Sequence, residues 1–336
     1  MTGSPTYACA PMHIPDGVLS MPVSLACAGL SAMAVGAAAA RSRARLGSRA
    51  VAMLGVTGAF LFAAQMLNFP VVGGTSAHFI GGVLAAVLLG PSTAVVVMTA
   101  VLTLQCLAFG DGGLLALGAN SLNMAVVHPL VGYAAYRAVA GVSTKGPRFR
   151  IAGAAFGAWI ATIAGAAVCA GELVLSRVAA PAVVLVAMVG THAAIGAAEA
   201  VVTALVLATV LRTRPELAVS ATSASGVRDA ATSVVLGLAV SSALAVFVTP
   251  FACPWPDSLQ RLASGLGIDP SRARVAFIAP MDGYAVHGIR AHGWSTALAA
   301  LAGTLLIFGL CSALGWWLAP RSRTDQGRAP VAEPRL

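Results

Sequence analysis

Long apolar runs, broken by short clusters of arginine, proline and glycine, set the pattern of this chain. A membrane-spanning helix needs about 20 mainly apolar residues. Runs of that kind lie near residues 18–40, 50–68, 78–90, 92–109, 114–137, 151–174, 182–211, 229–249 and 295–318, nine in all. The third and fourth are short and meet at Gly90-Pro91. They form either two spans or one broken, re-entrant pair. The expected fold is all-α: a polytopic membrane protein built as a helical bundle of about nine transmembrane helices.

Composition agrees with this reading. Of 336 residues, 58% are hydrophobic and 9% charged, against about 25% charged in a soluble domain. A soluble globular fold and a disordered chain are both excluded on that ground. Glycine is frequent, at 36 residues, and alanine is abundant. Small residues let helices in a bilayer approach closely.

The net charge of +9 raises the question of nucleic acid. Its distribution answers no, because the basic residues sit in short clusters between apolar runs, as in cytoplasmic loops. Arg41, Arg43, Arg45 and Arg49 follow the first run, and Arg137, Lys145, Arg148 and Arg150 the fifth. Arg212, Arg214 and Arg228 follow the seventh, and Arg321, Arg323, Arg328 and Arg335 the last. With nine spans these fifteen share one side, and only Arg177, Arg261, Arg272, Arg274 and Arg290 face the other. The positive-inside rule makes the fifteen-residue side cytoplasmic. The N-terminus and the loop at 250–294 are then outside, and the C-terminus is cytoplasmic. The polar stretch 212–228 reads as a cytoplasmic linker dividing seven spans from two.

Six cysteines, at 9, 27, 106, 169, 253 and 311, form no C-x-x-C pair and imply no disulfide framework. Residues 1–11 contain no basic residue and no apolar core, so they do not read as a secretory signal. The sequence has no P-loop, because its only lysine, Lys145, precedes Gly146 without the required spacing. ATP-driven transport would need a separate ATPase chain.

Histidine carries the candidate chemistry, since neutral imidazole is the commonest metal ligand. His13 sits in Met12-His-Ile-Pro-Asp-Gly17, with a turn expected at Ile14-Pro15-Asp16-Gly17. His78 lies in a glycine-flanked loop, Gly73 to Gly82. Both fall on the outer side and can converge on one ion; the alternative is that each is a hydrogen-bonded interfacial residue. His128, Glu172, His192 and Glu199 lie in or near apolar runs, where ionisable groups are costly. His192 and Glu199 share a helix face and read as interhelical hydrogen-bonding groups. Glu172 is expected to reach water at its helix end, and Asp111 to be a turn residue. His287 and His292 read as solvated loop residues.

These residues fall in blocks that resemble a known family. Met12-His-Ile-Pro-Asp-Gly-Val-Leu19 is similar to the N-terminal signature of the CbiM/NikM proteins, the metal-specific membrane components of energy-coupling-factor (ECF) ABC transporters for cobalt and nickel. Phe69 to Gly82 resembles the family's histidine loop, and Phe109 to Asn120 with Asn123-Met124, and His192 to Ala200, resemble further blocks. The resemblance covers roughly 12–211. Pro254 to Gln260, Ala279 to Tyr284 and Ser295 to Ala299 more loosely resemble the two-span NikN/CbiN-type subunit with its PDGLE segment. The chain then divides into an extension at 1–11, a metal-binding component at 12–211, the linker 212–228 and a NikN-like part at 229–336.

The resemblance implies a multi-pass cell-membrane importer subunit for Co²⁺ or Ni²⁺, not itself an enzyme and without a resident cofactor. Its partners would be an ECF transmembrane coupling subunit, cytoplasmic ATPases and membrane lipid. It also implies the ligand set: the free amine of Met12, the backbone nitrogen and imidazole of His13, and His78. Four nitrogens in one array suit Ni²⁺ or Co²⁺ and select against oxygen-seeking Mg²⁺ and Ca²⁺. Residues 1–11 block that amine while they remain, so the expectation is that translation starts at Met12 or the extension is removed; the rival reading keeps the extension, with Cys9 or a main-chain group replacing the amine. Two readings of another class stand beside this one: a membrane-embedded metal-dependent hydrolase, and a metal sensor that does not transport.

Overall fold

The computed structural model describes residues 13–44, 46, 48–71, 74–141, 146–213, 227–265, 278–289 and 291–319. Met12, the extension and linker residues 214–226 lie outside the described residues.

The described chain is helical apart from one short hairpin. In order it forms α1 (Met21–Arg43), α2 (Ser48–Gln65), β1 (Asn68–Val71), β2 (Thr75–His78), α3 (Gly82–Leu89) and α4 (Pro91–Phe109). There follow α5 (Leu117–Asn120), α6 (His128–Ala140), α7 (Pro147–Leu175), α8 (Pro181–Thr213), α9 (Val227–Ala243), α10 (Ser258–Gly265) and α11 (His292–Leu318). Residues Ser121–Val127 join α5 to α6 as a π-helical turn. The run from 117 to 140 is thus one continuous rod with a local change of pitch, of the kind that often marks functional sites.

Proline opens several of these helices. α1, α4 and α7 each carry it in their first two positions, where its missing N–H costs nothing and its fixed φ suits a helix. α1 ends on Arg41 and Arg43, as the negative end of a helix dipole favours.

Among the described residues six helices are long and apolar enough to cross a membrane: α1, α4, α7, α8, α11 and the segment Ala231–Phe251. α3 is only eight residues long, about 12 Å at 1.5 Å per residue, well short of a bilayer core of about 30 Å. It meets α4 at Gly90-Pro91. Of the two runs expected in 78–109, only α4 therefore has the length to cross a bilayer. α3 survives inside because its residues 82–86 are buried among other helices, not lipid.

α7 packs along α6 on one side and α8 on the other. A side chain at Gly157 would begin 2.5 Å from the Gly132 carbonyl oxygen, so the α6–α7 contact is backbone on backbone. At the other edge α9 and α11 both pack on α2, and a Cβ at Gly58 would lie 2.7 Å from Cys311 Sγ. One core runs through both parts: Leu54, Phe62 and Phe109 are buried in the same cluster as Tyr284, Ala299 and Ile307.

Candidate metal centre

The site is assembled on the segment ahead of α1. Ile14 and Asn120 grip each other: Asn120 Oδ1 accepts the Ile14 N–H at 3.0 Å, and Asn120 Nδ2 donates to the Ile14 carbonyl at 3.1 Å. Two residues on, the Asp16 carboxylate accepts the N–H groups of Leu114, Leu115 and Ala116 at 3.1, 2.8 and 3.3 Å. Asp16 therefore ties its segment to a distant turn as well as sitting in its own. Replacing Asn120 with alanine removes the reciprocal grip. We expect Ni²⁺ or Co²⁺ affinity to fall about 10–100-fold, the range for losing a group that supports a metal ligand, measured by titration of the purified protein.

These bonds bring His13 to β2. The His13 and His78 ring centroids are 5.6 Å apart and nearly perpendicular, at 85°. With metal–nitrogen distances of about 2.1 Å, two imidazoles on one ion set their centroids roughly 4.5–6.3 Å apart as the nitrogen–metal–nitrogen angle opens from about 90° to about 180°. The observed spacing falls in that range. Both rings line a cavity of about 110 Å³. His128, His192, Met124, Met188 and Cys169 also line it, a nitrogen- and sulfur-rich wall that favours transition metals over hard cations. Among the described residues no three of His, Cys, Asp and Glu stand close enough to hold an ion as a group. Met12, the remaining proposed ligand, lies outside the described residues.

The two rings differ electrically. Burial pushes the His78 pKa down to about 4, and repulsion from His13 adds to it. Its Nδ1 meets the Phe79 carbonyl at 3.3 Å, so the neutral ring keeps its lone pair on Nε2. Burial also opposes charge on His13, but the Asp111 carboxylate and its hydrogen bonds outweigh this and hold that pKa above the ordinary value. His13 Nδ1 lies 3.1 Å from Asp111 Oδ1, and its Nε2 is buried without a hydrogen-bond partner among the described residues.

Asp111 is more than the turn residue expected, because the Tyr284 hydroxyl donates to its Oδ2 at 2.7 Å. Tyr284 comes from the second part of the chain and stacks on Phe109 at 4.9 Å between centroids. That part reaches the histidine loop a second time. Ser76 donates its N–H to the Pro256 carbonyl at 2.9 Å and its hydroxyl to the Trp255 carbonyl at 2.6 Å. Arg261 donates to the Gly74 carbonyl at 2.7 Å. Asp257 lines the cavity itself, and burial raises its carboxyl pKa to about 7. The motif Pro256-Asp257 was visible in the sequence; its contact with the hairpin was not.

Other expectations change. Glu172 does not reach water: it is 4% exposed and accepts from Asn123 Nδ2 at 2.8 Å and from the Cys27 thiol at 3.3 Å. Its helix end is covered, so the carboxylate takes internal donors instead. Glu199 binds the histidine loop, accepting the Ile80 and Gly81 N–H groups at 2.9 and 2.8 Å. His192 does both: its Nδ1 donates to the Met188 carbonyl of its own helix at 2.7 Å, and its Nε2 meets the Ser258 hydroxyl of α10 at 3.5 Å, the interhelical bond expected of it. The described cysteines are free.

The chain is a multi-pass helical membrane protein with four histidines on the wall of one cavity, and comparisons with known proteins say which family this is. Residues 13–217 match the family CbiM, described as the cobalt uptake substrate-specific transmembrane region. This chain belongs to that family. The protein named "Putative fused nickel transport protein NikMN" of Archaeoglobus fulgidus is 35% identical over 93% of this chain and 100% of its own length. "Fused nickel transport protein NikMN" of Rhodobacter capsulatus is 38% identical, over 61% of this chain and 63% of that protein. A crystal structure of a truncated transition metal transporter is 34% identical, with a TM-score of 0.55, covering 60% of this chain and 99% of the other.

Proposed function

We propose that this chain is the metal-specific component of an ECF-type importer, with its NikN-like subunit fused behind it. The ion, Co²⁺ or Ni²⁺, binds on the outer face to the Met12 amine, the His13 backbone nitrogen and imidazole, and His78. A separate coupling subunit and cytoplasmic ATPases drive its release inward. The observation that carries this reading is the meeting of the His13 and His78 rings at 5.6 Å on the wall of one cavity.

The chelate has a geometric consequence. A ring closed through the His13 backbone nitrogen uses Nδ1, because Nε2 lies on the far side of the imidazole. Nδ1 faces Asp111, so capture exchanges that carboxylate for the ion. Affinity falls with acid, since the amine, amide and imidazole must all give up protons. Asp16, the carboxylate closest in sequence on which the hydrolase reading would draw, is committed to three backbone N–H groups.

The test compares two purified forms, one starting at Met1 and one at Met12, each titrated with Ni²⁺ and Co²⁺. Tight binding by the Met12 form alone supports the amine chelate and ranks the metals. Equal binding by both forms would remove the amine from the ligand set.

A further inference from the structure

We infer that Tyr284, which lies beyond the family-matched residues 13–217, is a positioning residue of the metal site. Its hydroxyl holds the Asp111 carboxylate in place when His13 leaves that carboxylate for the ion. The inference rests on the importer reading above.

The backbone gives the first sign. Tyr284 has a φ of 58° and follows Gly283, whose φ is 61°. Glycine takes the left-handed region freely, but a bulky aromatic residue there is an outlier. Such strain persists only where the surroundings over-determine it, and it gathers at functional sites. The surroundings of Tyr284 are of that kind. Ahead of it, the Met281 N–H donates to the Ala108 carbonyl of α4 at 2.9 Å, and the Tyr284 N–H returns to the Met281 carbonyl at 3.0 Å. A Cβ at Gly110 would meet the Asp282 carboxylate, so the segment lies directly on the end of α4. Behind it, Ser295 Oγ accepts the Val286 N–H at 2.8 Å. The ring is 1% exposed and stacked on Phe109.

Filling that space does not call for a hydroxyl, since phenylalanine would stack as well. What the hydroxyl adds is a bond to Asp111 Oδ2 at 2.7 Å. The other carboxylate oxygen, Oδ1, lies 3.1 Å from His13 Nδ1. The Asp111 carbonyl meets the same nitrogen at 3.3 Å. Both acceptors facing the chelating nitrogen therefore belong to the one residue that Tyr284 pins.

This line of three side chains bears on capture. Chelation through Nδ1 takes from Oδ1 its bond to His13, and a buried carboxylate that loses a donor is costly. The bond from Tyr284 stays on Oδ2, and hydrogen bonds to an ionised group are the strong kind. It also keeps the negative charge beside the incoming cation. Without the hydroxyl, Asp111 gives up His13 at greater cost and the ion competes less well for Nδ1. Tyr284 thus acts through Asp111 and not on the ion.

The experiment is Ni²⁺ titration of the full chain beginning at Met12, as wild type, Tyr284→Phe, Asp111→Asn and the double variant. Competition with a chelator of known affinity keeps the weaker forms measurable. Tyr284→Phe retains the ring and should lower affinity about tenfold, the lower end of the range for a group that supports a metal ligand. Asp111→Asn should also bind more weakly, because a charge beside the cation is lost. In that background Tyr284→Phe should change affinity by less than about twofold, since the neutral amide has no charge for the hydroxyl to support. This coupling is the readout, because a residue that only packs would lower affinity by the same factor in both backgrounds. Wild-type affinity in Tyr284→Phe, or an equal loss in both backgrounds, overturns the inference. Failure of the importer reading has a different signature: wild type itself then binds Ni²⁺ no more tightly than His78→Ala does, and Tyr284 has no site to serve.

Discussion

Replacing His78 with alanine is expected to abolish tight Ni²⁺ and Co²⁺ binding, weakening affinity by more than about 100-fold. Partners that only support a metal ligand are worth about 10–100-fold, and His78 is argued to be a ligand itself. The fold should survive. The hairpin pairs Asn68 with His78 through backbone, and the imidazole reaches only the adjacent Phe79 carbonyl, at 3.3 Å. Titration of the purified variant measures the affinity, and a melting curve close to wild type shows that the loss is local. A variant that still binds tightly would falsify the placement of His78 in the ligand set.

The second large effect is expected at Glu199. Its carboxylate closes the turn that carries His78 into α3, where Gly81 adopts a left-handed φ of 75°. Glu199→Ala leaves the Ile80 and Gly81 N–H groups without that acceptor, at about 1–3 kcal/mol each. The melting temperature should drop, and metal affinity should drop with it because the loop is no longer held against α8. Glu199→Gln keeps one acceptor oxygen and should fall between alanine and wild type in both measurements. Unchanged metal affinity in a destabilised Glu199→Ala protein would show that the turn supports the fold without positioning His78.

The membrane-helical character of the chain, and His13 and His78 as residues to watch, were legible in the sequence for a simple reason. Apolar runs of bilayer length leave few alternatives, and turn-rich motifs flag His13 and His78 whatever the packing. What the sequence concealed depends on which distant groups meet. Glu172 looks like a helix-end carboxylate until Cys27 and Asn123 are seen to cover it. Asp111 looks like a turn until Tyr284, far along the chain, donates to it. His128 reads as one more interior histidine, and its lack of a hydrogen-bond partner among the described residues cannot be seen in a linear pattern. The hairpin was missed because its strands are four residues each, too short to show alternation against apolar flanks.

The shared core of the two parts bears on how they can evolve and move. Tyr284 at the histidine site and Cys311 against Gly58 are contacts that separate subunits would have to find by diffusion. On one chain, joined across 212–228, each part meets the other at an effective concentration of about millimolar order. The contacts round the hairpin can therefore stay individually weak. Arg261 can let go of Gly74, and Trp255 of Ser76, while α9 and α11 remain packed on α2. Stoichiometry is one to one by covalent necessity, and breaking a contact at the hairpin does not release one part from the other.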